Sequence, residues 1–242
     1  MKQGLALIFL LVSLNIFAQN CNFVIDTIEI KSDILGENRQ VIVFKPFIDN
    51  VKAVKFLYLL DGENSKVLYQ QLDKQFGESI SNVIVIGIIN PERRRDMLYA
   101  NDADKFLEFL TTELIPSVEN GYKVETRILN GHSFCGSFTI YSLLNKPEYF
   151  DSYIASSPTP IIDLISVESY LKLDSLNKEI SFYFSYGSKD MKQVQKWLKK
   201  LKENLSGQSF TNFDWKFEIH EGKNHNDSDV IALFHGLSIL LL

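Results

Sequence analysis

The sequence predicts an α/β protein with one mostly parallel sheet, an antiparallel N-terminal edge and helices on both faces. Two observations support this prediction. Short runs rich in β-branched and aromatic residues alternate with segments of helical periodicity, which is typical of a parallel sheet covered on both sides. No linker rich in Pro, Gly or Ser divides the chain, since only 6 Pro and 12 Gly are spread over its 242 residues. We therefore expect a single folded domain.

The predicted elements follow one another in a simple order. The first two strands have a polar turn at 36–38 between them and no helix, so we expect an antiparallel hairpin at one edge of the sheet. Each of the later strands is followed by a helical segment, as repeated strand–helix–strand units require. The strand candidates are 23–30, 41–44, 54–60, 83–89, 127–130, 153–156, 180–186 and 213–219. The helix candidates are 66–76, 104–118, 134–144, 164–176, 191–205 and 228–241.

The composition provides a large core and excludes several classes of function. Hydrophobic residues make up 45% of the chain and charged residues 23%, which is typical of a globular protein. The formal net charge of −5 leaves no basic field for a nucleic-acid partner. Two cysteines, Cys21 and Cys135, are too few for a disulfide framework. The four histidines lack H-x-x-x-H spacing, so we expect no metal and no other cofactor.

Residues 1–18 have the pattern of a signal peptide. A single Lys precedes the apolar run at 5–12, and the small residue Ala18 follows. The run is too short to span a bilayer, and no stop-transfer segment follows it. We therefore expect cleavage near Ala18, no stable membrane anchor, and export to the periplasm or the exterior. Residues 19–242 would then form the single domain of the mature protein.

The strongest local signal is I-L-N-G-H-S-F-C-G at 128–136, a strand that runs through small residues into a helix. This pattern is typical of a nucleophile elbow, which holds a serine on a tight strand-to-helix turn. Gly131 supplies the small residue two positions before Ser133, whereas Cys135 stands two positions after it, where the usual pattern has Gly. Ser133 fits two roles, a nucleophile or an N-cap of the following helix. The N–H of Phe134 lies at the positive end of the helix dipole, where it can bind an oxyanion.

A serine hydroxyl needs a base within hydrogen-bond reach to become a good nucleophile. His225 lies in the polar loop at 221–227, between the last strand and the last helix, and is the best candidate. His220 ends a strand. His132 adjoins the serine, but we expect its side chain to point away. His235 lies on the apolar pattern of the last helix, which favours a packed core histidine.

The third member of such a set is an acid that orients the imidazole, and it lies between the serine and the histidine in chain order. Asp190 follows the strand at 180–186 and fits this place. The same residue could instead cap the helix that begins at Met191. Asp163 and Glu221 are weaker candidates for the acid.

Five further segments, together with the elbow, have a distinctive order and spacing. They are Y-L-L-D-G-E at 58–63, V-I-G-I-I-N at 85–90 with R-R-D at 94–96, E-L-I-P at 113–116, and the elbow followed by N-K-P at 145–147. Together with the elbow, these segments resemble the "putative esterase" family of α/β-hydrolases, which includes esterase D and the enterochelin-type esterases. The resemblance extends from about Val41 to the C-terminus.

The resemblance implies an α/β-hydrolase fold and a serine esterase that cleaves a carboxylic ester through an acyl-enzyme, and the signal-peptide pattern adds the expectation that this esterase is exported. Ser133 would be the nucleophile, His225 the base and Asp190 the acid. The backbone N–H groups of Phe134 and Glu63 would form the oxyanion hole.

Residues near this predicted site would support it without taking part in a chemical step. Asp61 and Gly62 would shape the pocket or its loop. Arg95 and Asp96 would form a buried or semi-buried ion pair that braces the active-site loop, although an Arg-rich loop could also meet an anionic substrate. The expected substrate is a small-molecule ester, such as an acylated carbohydrate or a siderophore ester. Two alternatives stay open: acyl transfer on the same triad, and a hydrolase fold that has lost turnover and only binds. The sequence does not indicate an oligomeric state.

Overall fold

The computed structural model describes residues 23–47, 53–92, 96–97, 100–160, 173 and 176–241. The predicted signal peptide, Cys21, Arg95 and Asp163 lie outside these residues, as does nearly all of the helix expected at 164–176. Among the helices in the described part of the chain, none combines the length and the apolar character that a membrane span requires.

Eight strands form one sheet. In chain order they are β1 (Phe23–Ser32), β2 (Glu37–Pro46), β3 (Val54–Leu59), β4 (Val83–Ile88), β5 (Val124–His132), β6 (Ser152–Ser156), β7 (Ile180–Gly187) and β8 (Phe213–His220). Their order across the sheet is β1-β2-β4-β3-β5-β6-β7-β8. Strand β2 is antiparallel to both of its neighbours, and all the other pairs are parallel. The predicted fold class and the N-terminal hairpin are therefore confirmed.

The helices follow the predicted pattern with one difference. They are α1 (Ser65–Phe76), α2 (Ala100–Phe109), α3 (Ile115–Glu119), α4 (Phe134–Asn145), α5 (Lys192–Ser206) and α6 (Ser228–Leu241). The single helix expected at 104–118 is interrupted by a π-helical turn at Leu110–Leu114. Pro116 has no N–H to donate to the carbonyl four residues earlier. The hydroxyl of Thr111 also donates to the Leu107 carbonyl at 2.8 Å. Both features disturb the regular α-helical ladder at this point.

Two hydrophobic clusters cover the two faces of the sheet. Alternate residues of β3 belong to different clusters, with Phe56 and Tyr58 in one and Leu57 and Leu59 in the other. This alternation is expected because successive side chains of a strand point to opposite faces. Helices α2, α4 and α5 contribute to the first cluster, and α1 and α6 contribute to the second. Burial on both faces explains why a central strand such as β4, VIVIGI, is apolar along its whole length.

The parallel strands deliver their loops to one edge of the sheet. Strands β5, β7 and β8 run in the same direction, so the segments that follow their carboxyl ends lie on the same side. Those segments carry Ser133, Asp190 and His225. Open α/β sheets place their ligand sites at this edge.

Candidate active site

Ser133 is the single residue between the end of β5 and the start of α4. Its backbone has φ 55° and ψ −118°, a conformation that residues other than glycine rarely adopt. The main chain holds it there, because its N–H donates to the Ser156 carbonyl at 3.0 Å and its own carbonyl accepts from the N–H of Ser137 at 3.0 Å. The Ser133 hydroxyl makes no capping hydrogen bond. The strained turn therefore presents the hydroxyl to the cleft and does not use it to cap the helix.

Close backbone packing explains which positions of the elbow must be glycine. A Cβ atom on Gly131 would lie 2.3 Å from the Cys135 carbonyl oxygen, and one on Gly136 would lie 2.9 Å from the Ser156 carbonyl oxygen. Cys135 itself is fully buried, and its Sγ lies 3.8 Å from the Leu60 carbonyl oxygen. Added Cβ atoms would overlap the backbone at Gly131 and Gly136, whereas the side chain of Cys135 is part of the core. The departure from the usual elbow pattern is therefore accommodated.

Replacing Gly131 with alanine is expected to reduce the free energy of unfolding by about 1–3 kcal/mol, since the added Cβ overlaps backbone that cannot move aside. Urea denaturation monitored by circular dichroism measures this difference. The matched control is Gly207→Ala, because Gly207 has a helical conformation and its nearest neighbours lie 3.7 Å from the added Cβ. Equal losses in the two variants would contradict the proposed crowding at the elbow.

The structure brings Ser133, His225 and Asp190 together. The Ser133 Oγ lies 3.0 Å from His225 Nε2, and His225 Nδ1 lies 2.8 Å from Asp190 Oδ1. Because a carboxylate can only accept, the Nδ1 atom carries the ring proton and the lone pair of Nε2 faces the serine. The imidazole is thus oriented to take the hydroxyl proton. The hydroxyl of Thr159 also lies 3.2 Å from Ser133 Oγ.

Asp190 is held in its ionised form. Burial raises the pKa of its carboxyl group, but the hydrogen bond from His225, the neighbouring Ser157 hydroxyl and the N–H of Met191 together outweigh burial and lower the pKa below its ordinary value. The Met191 N–H donates to Oδ1 at 2.6 Å. Helix α5 begins at Lys192 and its N-cap is Met191, so Asp190 does not act as the helix cap.

Glu221, a weaker candidate for the acid, accepts a hydrogen bond from the Ser188 hydroxyl at 3.1 Å on the surface.

Two expectations about histidines are wrong. His132 does not turn away from the serine: its ring centroid lies 4.7 Å from that of His225, in the same cleft. The positive φ of Ser133 interrupts the alternation of side chains along the strand, so the side chains of His132 and Ser133 both reach the cleft. His235 is not a packed core residue but is half exposed, and its Nδ1 lies 2.8 Å from Glu218 Oε2. It faces β8, the last strand of the sheet that the described residues form.

The predicted oxyanion residues lie in two segments that flank the serine. Glu63 belongs to the 3₁₀ turn Gly62–Asn64 that follows β3, and Phe134 is the first residue of α4. A Cβ atom on Gly62 would lie 2.3 Å from the Gly87 carbonyl carbon, so glycine allows this turn to pack directly on β4. The Glu63 carboxylate accepts the N–H of Asn90 at 2.9 Å and fixes the turn from the other side.

A cleft of about 590 Å³ surrounds the serine hydroxyl. Its volume lies within the range of small-molecule sites. Asn90, Asn226 and Asp229 also line the cleft, although their sequence context did not predict it. Burial raises the pKa of Asp229 to about 6, although the charge of His225 acts in the opposite direction. The described residues that line the cleft are Asp61, Glu63, Asn90, Pro91, His132, Ser133, His225, Asn226 and Asp229.

Asp96 forms a buried ion pair with an arginine that was not predicted from the sequence. Arg39 Nη2 on β2 lies 2.5 Å from Asp96 Oδ2, and both side chains are buried. Arg39 Nη1 also donates to Asn90 Oδ1 at 3.0 Å. The pair therefore ties β2 to the segment after β4 that lines the cleft. Arg95, the other predicted member, lies outside the described residues.

A sheet of this order, with a serine on a strained strand-to-helix turn, is that of an α/β-hydrolase. The chain belongs to the family described as "Putative esterase", whose model matches residues 32–237.

Two curated relatives are fungal proteins. The siderophore triacetylfusarinine C esterase of Aspergillus fumigatus is 26% identical over 147 residues, which cover 57% of this chain and 48% of that protein. The siderophore enterobactin esterase of Emericella nidulans is 41% identical over 144 residues, which cover 45% of this chain and 47% of that protein. The chain thus spans about half the length of these relatives.

Solved structures show the same fold. The BES protein from Bacillus cereus superposes with a TM-score of 0.78 at 20% identity and covers 100% of both chains. An IroE-like serine hydrolase from Shewanella oneidensis has a TM-score of 0.78 at 19% identity, covering 90% of this chain and 80% of that chain. At these identities the likeness concerns the fold alone.

Proposed function

We propose that the protein is a serine esterase that hydrolyses a carboxylic ester through Ser133, His225 and Asp190. The observation that carries the proposal is the continuous hydrogen-bond chain from the buried Asp190 carboxylate, through the imidazole, to a serine hydroxyl at the cleft. A serine, a base and an orienting acid in this arrangement form the recurring machinery of acyl transfer.

In the first half of the reaction, His225 Nε2 takes the proton of Ser133 as Oγ attacks the ester carbonyl carbon. The carbonyl oxygen becomes an oxyanion, which accepts hydrogen bonds from the N–H groups of Phe134 and Glu63. The dipole of α4 adds positive potential at Phe134. Asp190 stabilises the imidazolium that has formed. The tetrahedral intermediate collapses, the alcohol leaves with the proton from Nε2, and the acyl group stays on Oγ.

In the second half, water replaces the alcohol. His225 takes a proton from the water molecule as its oxygen attacks the acyl carbon, and the same donors hold the second oxyanion. The imidazolium returns the proton to Ser133 Oγ, and the free acid departs. No protein group outside the triad and the oxyanion donors takes part in either half of the reaction.

The substrate that we propose is a siderophore-type ester. Two points support it: the curated relatives of this chain are named as siderophore esterases, and the cleft has room for a small molecule. An acylated carbohydrate is the competing substrate class. Export, proposed from the pattern at residues 1–18, would bring the enzyme to substrates outside the cytoplasm.

A substrate panel tests this proposal. Purified protein is incubated with triacetylfusarinine C, enterobactin, methyl ferulate and an acetylated xylo-oligosaccharide, and the products are separated by liquid chromatography with mass detection. We expect at least one siderophore ester to be cleaved with a kcat/KM about 10-fold or more above the carbohydrate and feruloyl esters, a margin of about 1.4 kcal/mol in transition-state binding.

The products separate the remaining possibilities. Release of the free acid supports hydrolysis, whereas transfer of the acyl group to an added sugar or thiol would identify an acyltransferase. Preference for the acetylated sugar would overturn the siderophore assignment. No turnover of any ester would overturn the esterase assignment as well.

A further inference from the structure

A second group of polar side chains lies outside the cleft, on β8 and α6. We call it the β8–α6 cluster; it consists of Glu218, His220 and His235. Glu218 and His220 are two residues apart on one strand, so they share a face, and α6 brings His235 onto that face. Glu218 Oε2 lies 2.8 Å from His235 Nδ1 and 4.0 Å from His220 Nε2. One donor atom from each residue lies within 4.8 Å of the other two.

The cluster offers one carboxylate and two imidazoles as possible ligands, and the surrounding hydrogen bonds are compatible with this role. The hydroxyl of Tyr183 lies 2.7 Å from Glu218 Oε2 and 3.1 Å from His220 Nε2. Burial raises the pKa of the Tyr183 hydroxyl well above its ordinary value, so it stays protonated. Lys216 Nζ lies 3.2 Å from Glu218 Oε1, and its positive charge favours the ionised carboxylate. The carboxylate is therefore ionised and able to accept.

The spacing of these atoms matches a tetrahedral metal ion. With bonds of about 2.0–2.2 Å, the nitrogen and oxygen ligands of Zn²⁺ lie about 3.4 Å apart. The two distances from Glu218 Oε2, 2.8 and 4.0 Å, lie on either side of that value. Small rotations would equalise them. His220 is held by burial, whereas the half-exposed His235 can adjust.

A cavity of about 560 Å³ adjoins the cluster and is lined by all three of its residues. It provides room for an ion and a water molecule. Two histidines and one carboxylate, with water in the fourth position, form a known open zinc coordination. We propose that the β8–α6 cluster binds a zinc ion.

Zinc binding at the cluster needs no proton donor or acceptor other than the protein and water. Each imidazole offers one lone pair to the ion, so the ring proton moves to the other nitrogen. In His235 that nitrogen lies on a half-exposed ring and can meet solvent. In His220, Nε2 would bind the ion and give up its contact with the Tyr183 hydroxyl, and the ring proton would reside on Nδ1, which has no hydrogen-bond partner among the described residues. Tyr183 keeps its proton and still donates to Glu218.

The cluster lies at the base of the loops that carry the triad. The backbone carbonyl of His220 accepts from the N–H of Ser188 at 2.9 Å and from that of Lys223 at 3.3 Å. These residues belong to the loops of Asp190 and His225, respectively. Zinc would join the edge strand β8 to α6 at this point and stabilise the fold.

The test is isothermal titration of the full-length protein with ZnCl₂, together with thermal unfolding at zinc concentrations about 100 times the measured Kd. We expect one zinc ion per chain and a rise in Tm of about 5–10 °C. His235→Ala should weaken zinc binding at least about 10-fold and abolish the rise in Tm. Because His235 is half exposed, this variant should keep the Tm of the unmodified protein when zinc is absent.

Two variants locate the ion. Glu221→Gln changes a carboxylate that lines the same cavity but lies outside the cluster, and His225→Ala removes the imidazole of the triad. Both should bind zinc within about a factor of two of the unmodified protein, since neither side chain is a proposed ligand. The proposal is overturned if the unmodified protein does not bind zinc, if His235→Ala binds it equally well, or if His225→Ala loses it.

Discussion

Alanine in place of Ser133 is expected to reduce the turnover of p-nitrophenyl acetate by at least about 10³-fold, since loss of any member of a serine triad has effects of this size. The variant keeps the cleft and the oxyanion donors but loses the atom that attacks the carbonyl carbon. The rate of p-nitrophenol release, monitored by its absorbance, measures the change. The enzyme is used in excess over any contaminating esterase.

The matched control for this variant is Ser206→Ala. Ser206 is an exposed serine at the end of α5, far along the chain from the elbow. We expect its removal to leave turnover within about a factor of two, as surface substitutions away from a site usually have little effect. Undiminished turnover by pure Ser133→Ala would refute the assignment of the nucleophile.

Asparagine in place of Asp190 is expected to reduce turnover by about 10³–10⁴-fold, as the corresponding change does in serine proteases. The shape of the side chain is kept, but its amide can donate to His225 Nδ1. That hydrogen bond would stabilise the tautomer with the proton on Nε2, which then faces Ser133 and cannot act as a base. The rate of p-nitrophenyl acetate hydrolysis measures the effect, and an unchanged Tm shows that the fold is intact.

Glu221→Gln is the control here, because Glu221 was a competing candidate for the acid. Its carboxylate hydrogen bonds with Ser188 and not with the imidazole, so we expect nearly full activity. If Glu221→Gln were inactive and Asp190→Asn were active, Glu221 and not Asp190 would be the acid, and the triad would be assigned incorrectly.

Local patterns in the sequence are sufficient to predict the elements of this fold but not their arrangement. Each of the eight strands was predicted, because a buried parallel strand is a short apolar run with β-branched and aromatic residues. The hairpin of β1 and β2 followed from a polar turn with no helix. The order β4-β3-β5 could not be predicted, because pairing between strands far apart in sequence has no local signal. The π-helical turn was also missed, because helical periodicity continues through it.

The candidate site shows the same limit. The elbow motif, the loops that follow the strands and the order of serine, acid and histidine along the chain led to Ser133, Asp190 and His225, which the structure brings within hydrogen-bond distance. The contribution of Arg39, which forms an ion pair with Asp96, could not be predicted, because Arg39 lies on a distant strand and has no signal near the R-R-D segment. The direction of the His132 side chain could not be predicted either, because it depends on the unusual backbone conformation of Ser133.

The β8–α6 cluster was missed for a related reason. Spacing rules detect metal ligands that lie on one helix or one loop. Here Glu218 and His220 lie on the edge strand, and His235 lies on the following helix, fifteen residues after His220. Only the packing of α6 against β8 brings the three side chains together.

The central claim is that the Ser133 hydroxyl is an activated nucleophile, and covalent labelling measures this without any knowledge of the substrate. The protein is treated with a fluorophosphonate probe, digested, and analysed by tandem mass spectrometry. The account predicts a single adduct on Ser133, absent when residue 133 is alanine and formed much more slowly when His225 is replaced. Labelling at a different serine, or no labelling of the folded protein, would contradict it.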